Sequence, residues 1–365
     1  MIVPVSLHER SYPIHIVADA LRALPALPAA ALPGEIALIS NRGVDALYGD
    51  ELTKNLESLG QKVTRFEMGD GEQWKSLETA ARAYDALADA KFSRRGAIWA
   101  LGGGVTGDLA GYVAATWMRG VAFVQVPTSL LAMVDSSVGG KTGVNHPRAK
   151  NLIGAFWQPT AVICDPNCLQ TLPLRELRAG VAEVIKYGVI SDADFFDYLE
   201  AHLDKAFKLD PEVLSRIIAR CCEIKAEVVG EDERESDSVG RRAILNYGHS
   251  VGHAFEAISS YGKLLHGEAI ALGMTIEARL AIALETIEQG EGKELLRAQT
   301  RLFERAGLPV KTPEGTDFEA LWNAMALDKK NRGASVNFIL PTRMGEVKRV
   351  ENVKKAIVRD AVFGI

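Results

Sequence analysis

Apolar and polar positions alternate along residues 2–7 and 12–17, on either side of HERSY, and a period of two predicts a β-hairpin. From Glu35 the pattern changes to short β-branched or apolar runs: EIALIS, KVTRFEM, GAIWAL, AFVQVP and AVICD. Most of these are separated by stretches of helical period such as VDALYGDELTKNLESLG and SLETAARAYDALADA. Alternating strands and helices predict a parallel sheet with helices on its faces, because a parallel crossover needs a connection long enough to hold a helix. Beyond Pro173 apolar side chains recur at helical spacing in LRAGVAEVIKYGVI, DADFFDYLEAHL, EVLSRIIARCCEIKAEVVG, EAIALGMTIEARLAIALE and RAQTRLFERAG. ASVNFILP and GEVKRV predict a small closing hairpin, followed by a last helix. The change of period places a domain boundary near residue 172, with an α/β domain over 1–172 and a mainly α-helical domain over 173–365.

Composition narrows this little. The chain has 365 residues, 47% hydrophobic and 24% charged, enough for a large core and two domains. A formal charge of -5 argues against general nucleic-acid or anionic-membrane binding and leaves a small molecule as the expected partner. The early apolar segment ALRALPALPAAALP is broken by Pro25, Pro28 and Pro33, and no stretch reads as a signal or a membrane span, so the expected location is cytoplasmic. Cys164, Cys168, Cys221 and Cys222 form no metal-binding or disulfide pattern and read as reduced bystanders.

The chemistry starts after GAIWAL. Gly102, Gly104 and Gly107 of GGGVTGD fit Gly-x-Gly-x-x-Gly between a strand and a helix, where glycines let a pyrophosphate approach a helix N-terminus. The first domain is therefore read as a Rossmann-like, dinucleotide-binding one. An acidic residue expected further on for the ribose is missing, since Val126 and Pro127 stand there. The next segment, QVPTSLLAMVDSSVGGKTGVNHPRAKNLIGAFWQP, is long and polar, which marks functional loops. Its GGKTG ends like a P-loop, but the first glycine of that motif falls on Asp135, so nucleotide hydrolysis is excluded and Lys141 is read as a cation for an anionic ligand.

Three of the seven histidines lie in RRAILNYGHSVGHAFEAISSYGKLLHGE. His249 and His253 share a helix face, and His266 opens the next helix, so two or three imidazoles can converge on a divalent metal or a proton-transfer site. The same spacing also suits hydrogen-bonded surface histidines. Ser250 in place of Glu rules out the His-Glu-x-x-His protease motif. Glu183 and Lys186 face one way on an otherwise apolar helix. A dinucleotide loop together with a histidine cluster suggests hydride chemistry at a metal-held hydroxyl. Arg119, Lys141, Lys186, Lys225 and Arg242 suggest a phosphate or carboxylate on the substrate.

Taken together, LGGGVTGDLAGYVAATWMRG, VPTSLLAMVDSSVGGKTGVNHP, KNLIGAFWQP, AGVAEVIKYG, LNYGHSVGHAFE and HGEAIALGM resemble the 3-dehydroquinate synthase family, from about residue 35 to DKKN. The resemblance implies a cytoplasmic, homodimeric enzyme of the shikimate pathway and aromatic amino acid biosynthesis that uses NAD and Zn2+ or Co2+. Its reaction converts 3-deoxy-D-arabino-heptulosonate 7-phosphate to 3-dehydroquinate and phosphate. The steps are transient oxidation by NAD, β-elimination, reduction, ring opening and intramolecular aldol closure.

By residue, the resemblance implies that Glu183, His249 and His266 hold the metal, while His253 becomes a substrate and proton-relay residue. The implied substrate set is Arg119, Asp135, Lys141, Asn151, Lys186, Lys225, Arg242 (or Arg241, if SDSVG displaces it), Asn246 and one of Lys329 or Lys330. Implied cofactor contacts are Asn41, Glu72, Lys75, Gly103, Gly104, Asp108, Thr128, Ser129, Lys150 and Thr171, with Glu72 taking the ribose hydroxyls. Other sugar phosphate cyclases, which form a valiolone or a deoxy-inosose, share the scaffold, and Asn246 and His253 favour the dehydroquinate-forming branch. A metal-dependent polyol dehydrogenase is the next alternative, and would leave NADH in solution. A metal-stapled binding protein is disfavoured because every candidate catalytic position is occupied.

Overall fold

The computed structural model describes residues 1–235, 241–259, 264–326 and 336–365. It divides into two compact units, Met1–Leu172 with Leu209–Arg234, and Pro173–Lys208 with Glu235–Ile365.

In the first unit, β1 (Ile2–Val5) and β2 (Tyr12–Ile16) pair antiparallel as the alternating pattern predicts. There follow β3 (Glu35–Asn41) and α1 (Arg42–Val44), which continues through a wide helical turn at Asp45–Gly49 into α2 (Asp50–Ser58). Next come β4 (Lys62–Met68), α3 (Leu77–Asp89), β5 (Ala97–Gly102), α4 (Gly104–Thr116) and β6 (Ala122–Pro127). The unit's strands close with β7 (Lys141–His146), β8 (Ala149–Phe156) and β9 (Ala161–Cys164). The main sheet runs β1-β2-β9-β6-β5-β3-β4, parallel except at β1/β2. Every residue of β5 is buried, as a central parallel strand covered on both faces requires, which is why GAIWAL reads as one apolar run. Ser40 pairs with Leu101, and Gly102 with Pro127, so the carboxyl ends of β3, β5 and β6 lie along one edge. The later part of the polar segment that reads as loop from the sequence folds instead into the antiparallel β7–β8 hairpin.

The second unit begins with α5 (Leu174–Ser191) and α6 (Ala193–Phe207). The chain then makes α7 (Pro211–Glu231), which differs from the predicted division: it packs on β1, β2 and the turn at 132–136 in the first unit. A helical period reveals that a face is buried but not against which partner, so sequence placed 209–234 with the helices around it. Burial there pushes the Cys222 thiol up to about 12, and the Sγ donates to the Met133 carbonyl at 3.3 Å. The remaining elements are α8 (His249–Ile258), α9 (His266–Ala283), α10 (Gln289–Arg305), α11 (Phe318–Ala326), the hairpin β10 (Phe338–Arg343) with β11 (Glu346–Val350), and α12 (Lys355–Phe363). Helix α9 is apolar on nearly every side and runs through the middle of this unit, contacting α5, α8, α10 and α12.

Candidate functional site

Within the second unit, close helix approach brings three ligand-type side chains together. A Cβ at Gly267 would overlap the Ala179 carbonyl of α5, and one at Gly273 the Gly248 carbonyl ahead of α8. Without side chains at these two positions, α9 lies directly against both neighbours. Glu183 on α5 is fully buried, and its Oε1 lies 3.5 Å from His249 Nε2 and 3.4 Å from His266 Nε2. Its Oε2 is ion-paired with the buried Lys186 ammonium. The Nδ1 of His249 faces the Tyr247 carbonyl at 3.0 Å. The Nδ1 of His266 faces Glu256 Oε2 at 3.3 Å. With Nδ1 so engaged on each ring, Nε2 is the nitrogen turned toward Glu183, the arrangement in which outer partners orient metal-ligating histidines. Burial alone would lower the His266 pKa, but the two facing carboxylates, Glu183 and Glu256, outweigh it and raise it to about 10.

One carboxylate and two imidazoles, with ligand atoms within 4.8 Å of one another, make the donor set of a catalytic zinc site that keeps a position open. His253 stands one turn along α8 from His249, with ring centroids 5.2 Å apart, and 5.9 Å from the His266 ring. Glu268, the acid of HGE, accepts from Nε and Nη2 of Arg175 at 2.7 and 2.8 Å and from the Leu265 amide at 2.9 Å, which fixes the turn that presents His266. In the short helix Arg241–Asn246, Arg242 is buried and Arg241 is exposed, so Arg242 is the arginine turned inward. Lys329 and Lys330 lie outside the described residues.

In the first unit, polar groups gather where the parallel strands end. Helix α4 starts from Gly103 with no side-chain cap, leaving its first amides for a ligand. A Cβ at Gly104 would lie 2.9 Å from Ser136 Oγ, so the backbone there is closely packed. Thr128 follows β6 and donates its amide to Gly102 O at 3.0 Å, and Ser129 Oγ accepts the Ala132 amide at 3.3 Å. Lys75 is buried and bridges Asp108 of α4 to Asn151 Oδ1, the latter at 2.5 Å. Burial raises the Asp108 pKa against the opposing pull of Lys75. Asn145 ties the network together, donating to Glu72 Oε1 at 2.7 Å and accepting the Asn151 amide at 2.9 Å. Asn41 ends β3 and donates to Asp70, while Thr171, after β9, shares a 2.5 Å hydrogen bond with Tyr48. Lys225 of α7 binds Asp135 twice, at the carbonyl (2.6 Å) and at Oδ1 (2.7 Å). Lys141 opens β7 with its side chain exposed.

Family models for the 3-dehydroquinate synthase N-terminal and C-terminal regions match residues 65–179 and 180–331. The chain is 47% identical over its whole length to 98% of a 3-dehydroquinate synthase from Synechococcus sp.. It is 45% identical to one from Vibrio atlanticus, covering 99% of this chain and 98% of that one. The chain belongs to the 3-dehydroquinate synthase family. Among solved structures, it resembles a 2-deoxy-scyllo-inosose synthase complexed with carbaglucose-6-phosphate, NAD+ and Co2+ (TM-score 0.89, 26% identity, all of both chains). It also resembles a 2-epi-5-epi-valiolone synthase from Streptomyces hygroscopicus with NAD+ and Zn2+ bound (TM-score 0.86, 28% identity, 98% and 97% of the two chains).

Of the residues that resemblance to 3-dehydroquinate synthases implies, the structure brings Glu183, Lys186, His249, His253 and His266 together in the second unit. In the first it links Glu72 and Asn151 through Asn145, and Lys75 to both Asp108 and Asn151. Arg119 is different: it ends the short helix Trp117–Arg119 that precedes β6, exposed at the amino edge of the sheet, away from the glycine loop at the other edge. Lys150 lies on β8 beside Asn151. Sequence reasoning passed over Asn145, Glu256 and Glu268 as site residues. Glu256 and Glu268 are both visible in the sequence as carboxylates near the histidines, but a helix surface normally carries some.

Proposed function

We propose that the protein is an NAD- and divalent-metal-dependent 3-dehydroquinate synthase, converting 3-deoxy-D-arabino-heptulosonate 7-phosphate to 3-dehydroquinate and phosphate. The observation that carries this reading is the Glu183–His249–His266 cluster in a chain that full-length relatives place in this family. Glu183 supports the metal assignment most directly, because Lys186 pairs with its Oε2 while its Oε1 faces Nε2 of both His249 and His266. Zn2+ or Co2+ held there would polarise a substrate hydroxyl, and NAD on the glycine loop would take up and later return a hydride, so no external oxidant is consumed. For the cofactor we assign Asn41, Glu72, Lys75, Gly103, Gly104, Asp108, Thr128, Ser129, Lys150 and Thr171.

The chain's own residues divide the remaining work. Lys141, Lys225 and Arg242 bind the anionic groups and stabilise phosphate as it departs. Asp135 holds the Lys225 ammonium in place. Asn151 and Asn246 hydrogen-bond hydroxyls, and Lys186 neutralises Glu183. A ring nitrogen of His253 relays protons to and from the substrate. Holding one substrate pose supplies the proximity for ring closure. Arg119 and one of Lys329 or Lys330 join the substrate set on family resemblance. We place the enzyme in the shikimate pathway, in the cytoplasm, as a homodimer. Exposed Leu152 and Phe156, on one face of β8, offer apolar side chains for that assembly. Among the described residues no helix is long and apolar enough to cross a membrane.

The test follows phosphate release from the heptulosonate phosphate together with NADH absorbance, in one cuvette containing protein, NAD and zinc. Phosphate released without accumulating NADH, and lost on chelation, is the expected result. Steady NADH from a polyol with no phosphate would transfer the chain to the dehydrogenases.

A further inference from the structure

The peptide between Tyr247 and Gly248 is hydrogen-bonded at both ends to ionisable side chains. Its N–H donates to Glu277 Oε2 at 2.7 Å, and its carbonyl lies 3.0 Å from His249 Nδ1. A carbonyl can only accept, so Nδ1 carries a proton, and in the neutral ring Nε2 is then the lone-pair nitrogen facing Glu183. Glu277 is fully buried in the middle of α9, where a carboxylate is otherwise unfavourable. Gly248 has φ +81°, and a Cβ there would press on Met274 and the Ile270 carbonyl, so the peptide is held firmly on α9. The Tyr247 hydroxyl anchors the same turn from the other side, its one O–H lying between two acceptors, Met274 O at 3.0 Å and Gln299 Oε1 at 2.9 Å.

We propose that Glu277 is a positioning residue for the metal site, acting on His249 through this single peptide. Hydrogen bonds in series polarise one another, so a carboxylate accepting the N–H makes the Tyr247 carbonyl a stronger acceptor for Nδ1–H. The imidazole becomes a more basic ligand at Nε2, as when a carboxylate bonds a metal-ligating histidine directly. His266 receives that help from Glu256 itself, and His249 receives it from Glu277 across a peptide. The inference rests on the metal reading of Glu183, His249 and His266.

The test compares zinc affinity, read by competition with a chromophoric chelator, and the visible bands of cobalt-loaded protein for wild type and Glu277→Gln. Glu277→Gln keeps an oxygen for the Gly248 amide and removes the charge. Its zinc affinity falls roughly tenfold to hundredfold and its cobalt bands shift, while circular dichroism and NAD affinity stay as in wild type. A folded Glu277→Gln with wild-type affinity and bands overturns the proposal. If that variant does not fold, nitrogen-15 spectra of histidine-labelled wild-type zinc protein decide. A zinc-ligated imidazole protonated on Nδ1 supports the relay, and ligation of both histidines through Nδ1 overturns it. Wild-type protein that takes up no zinc refutes the metal reading and this inference with it, a result distinct from equal affinity in wild type and variant.

Discussion

Glu183 and Lys186 sit one turn apart on α5 with no exposure to speak of, and each is tolerable there only because of the other. Removing one member of a buried ion pair leaves an uncompensated charge and costs about 3–5 kcal/mol. Lys186→Met should therefore destabilise metal-free protein by about that much. Zinc should recover part of the loss, since a divalent cation beside Glu183 replaces the missing ammonium. Denaturant unfolding with chelator and with excess zinc checks both statements; equal losses in the two conditions would separate Glu183 from the metal. The pair was visible in the sequence as an acid and a base on an apolar helix, but its burial was not, because spacing is the same for a surface pair. The histidines show a related limit. Local period points to His249 with His253, whereas the structure sets His249 and His266 against a carboxylate far back in the chain. Long-range partners such as Asn145 and Glu277 leave no local pattern at all.

Helix α9 shows how an element makes a site. It carries His266 and Glu277, it starts where Glu268 accepts the Leu265 amide, and it meets α5 and α8 through glycines. The atoms a Cβ at Gly267 would strike are backbone, which cannot swing aside as a side-chain end can. Gly267→Ala should accordingly cost about 1–3 kcal/mol as overpacking and lower zinc affinity as well, because pushing α9 from α5 parts His266 from Glu183. Thermal melts and chelator competition measure the two effects; loss of stability with full zinc affinity would show that the separation of α5 and α9 does not set the site. The helical period of HGEAIALGM and the strand run GAIWAL were both readable, since each is buried nearly all round and consequently apolar throughout. The β7–β8 hairpin was not, because KTGVNH and AKNLIGAF keep no steady alternation of apolar and polar residues and two glycines, Gly143 and Gly154, face each other across it. Helix α7 was recognised as a helix yet assigned to the wrong neighbours, since amphipathic spacing carries no address.

At the scale of the whole molecule, the two proposed ligand sets belong to different compact units: the glycine loop and its polar network to one, and the Glu183 cluster to the other. Binding of each ligand should then be separable by substitution even though turnover needs both. Gly103→Ala suits the first test. The residue has φ -79°, which alanine adopts readily, and the added methyl would meet only Ser129 Oγ at 3.5 Å, an ordinary contact. The fold should survive, while the methyl occupies space at the head of α4 that a pyrophosphate would need. An overpacking cost of about 1–3 kcal/mol corresponds to NAD affinity reduced roughly tenfold to hundredfold. Zinc stoichiometry should stay at the wild-type value. Glu183→Gln should do the reverse, losing zinc with NAD affinity intact. Both variants should fail to release phosphate at ordinary cofactor concentrations, and excess NAD should rescue only Gly103→Ala. Fluorescence titration with NAD, metal analysis after dialysis and the phosphate assay read the three quantities separately. Loss of NAD binding in Glu183→Gln would mean that the ligand sets are coupled before substrate arrives. Rescue of Glu183→Gln by NAD would mean that the carboxylate serves the cofactor, not a metal.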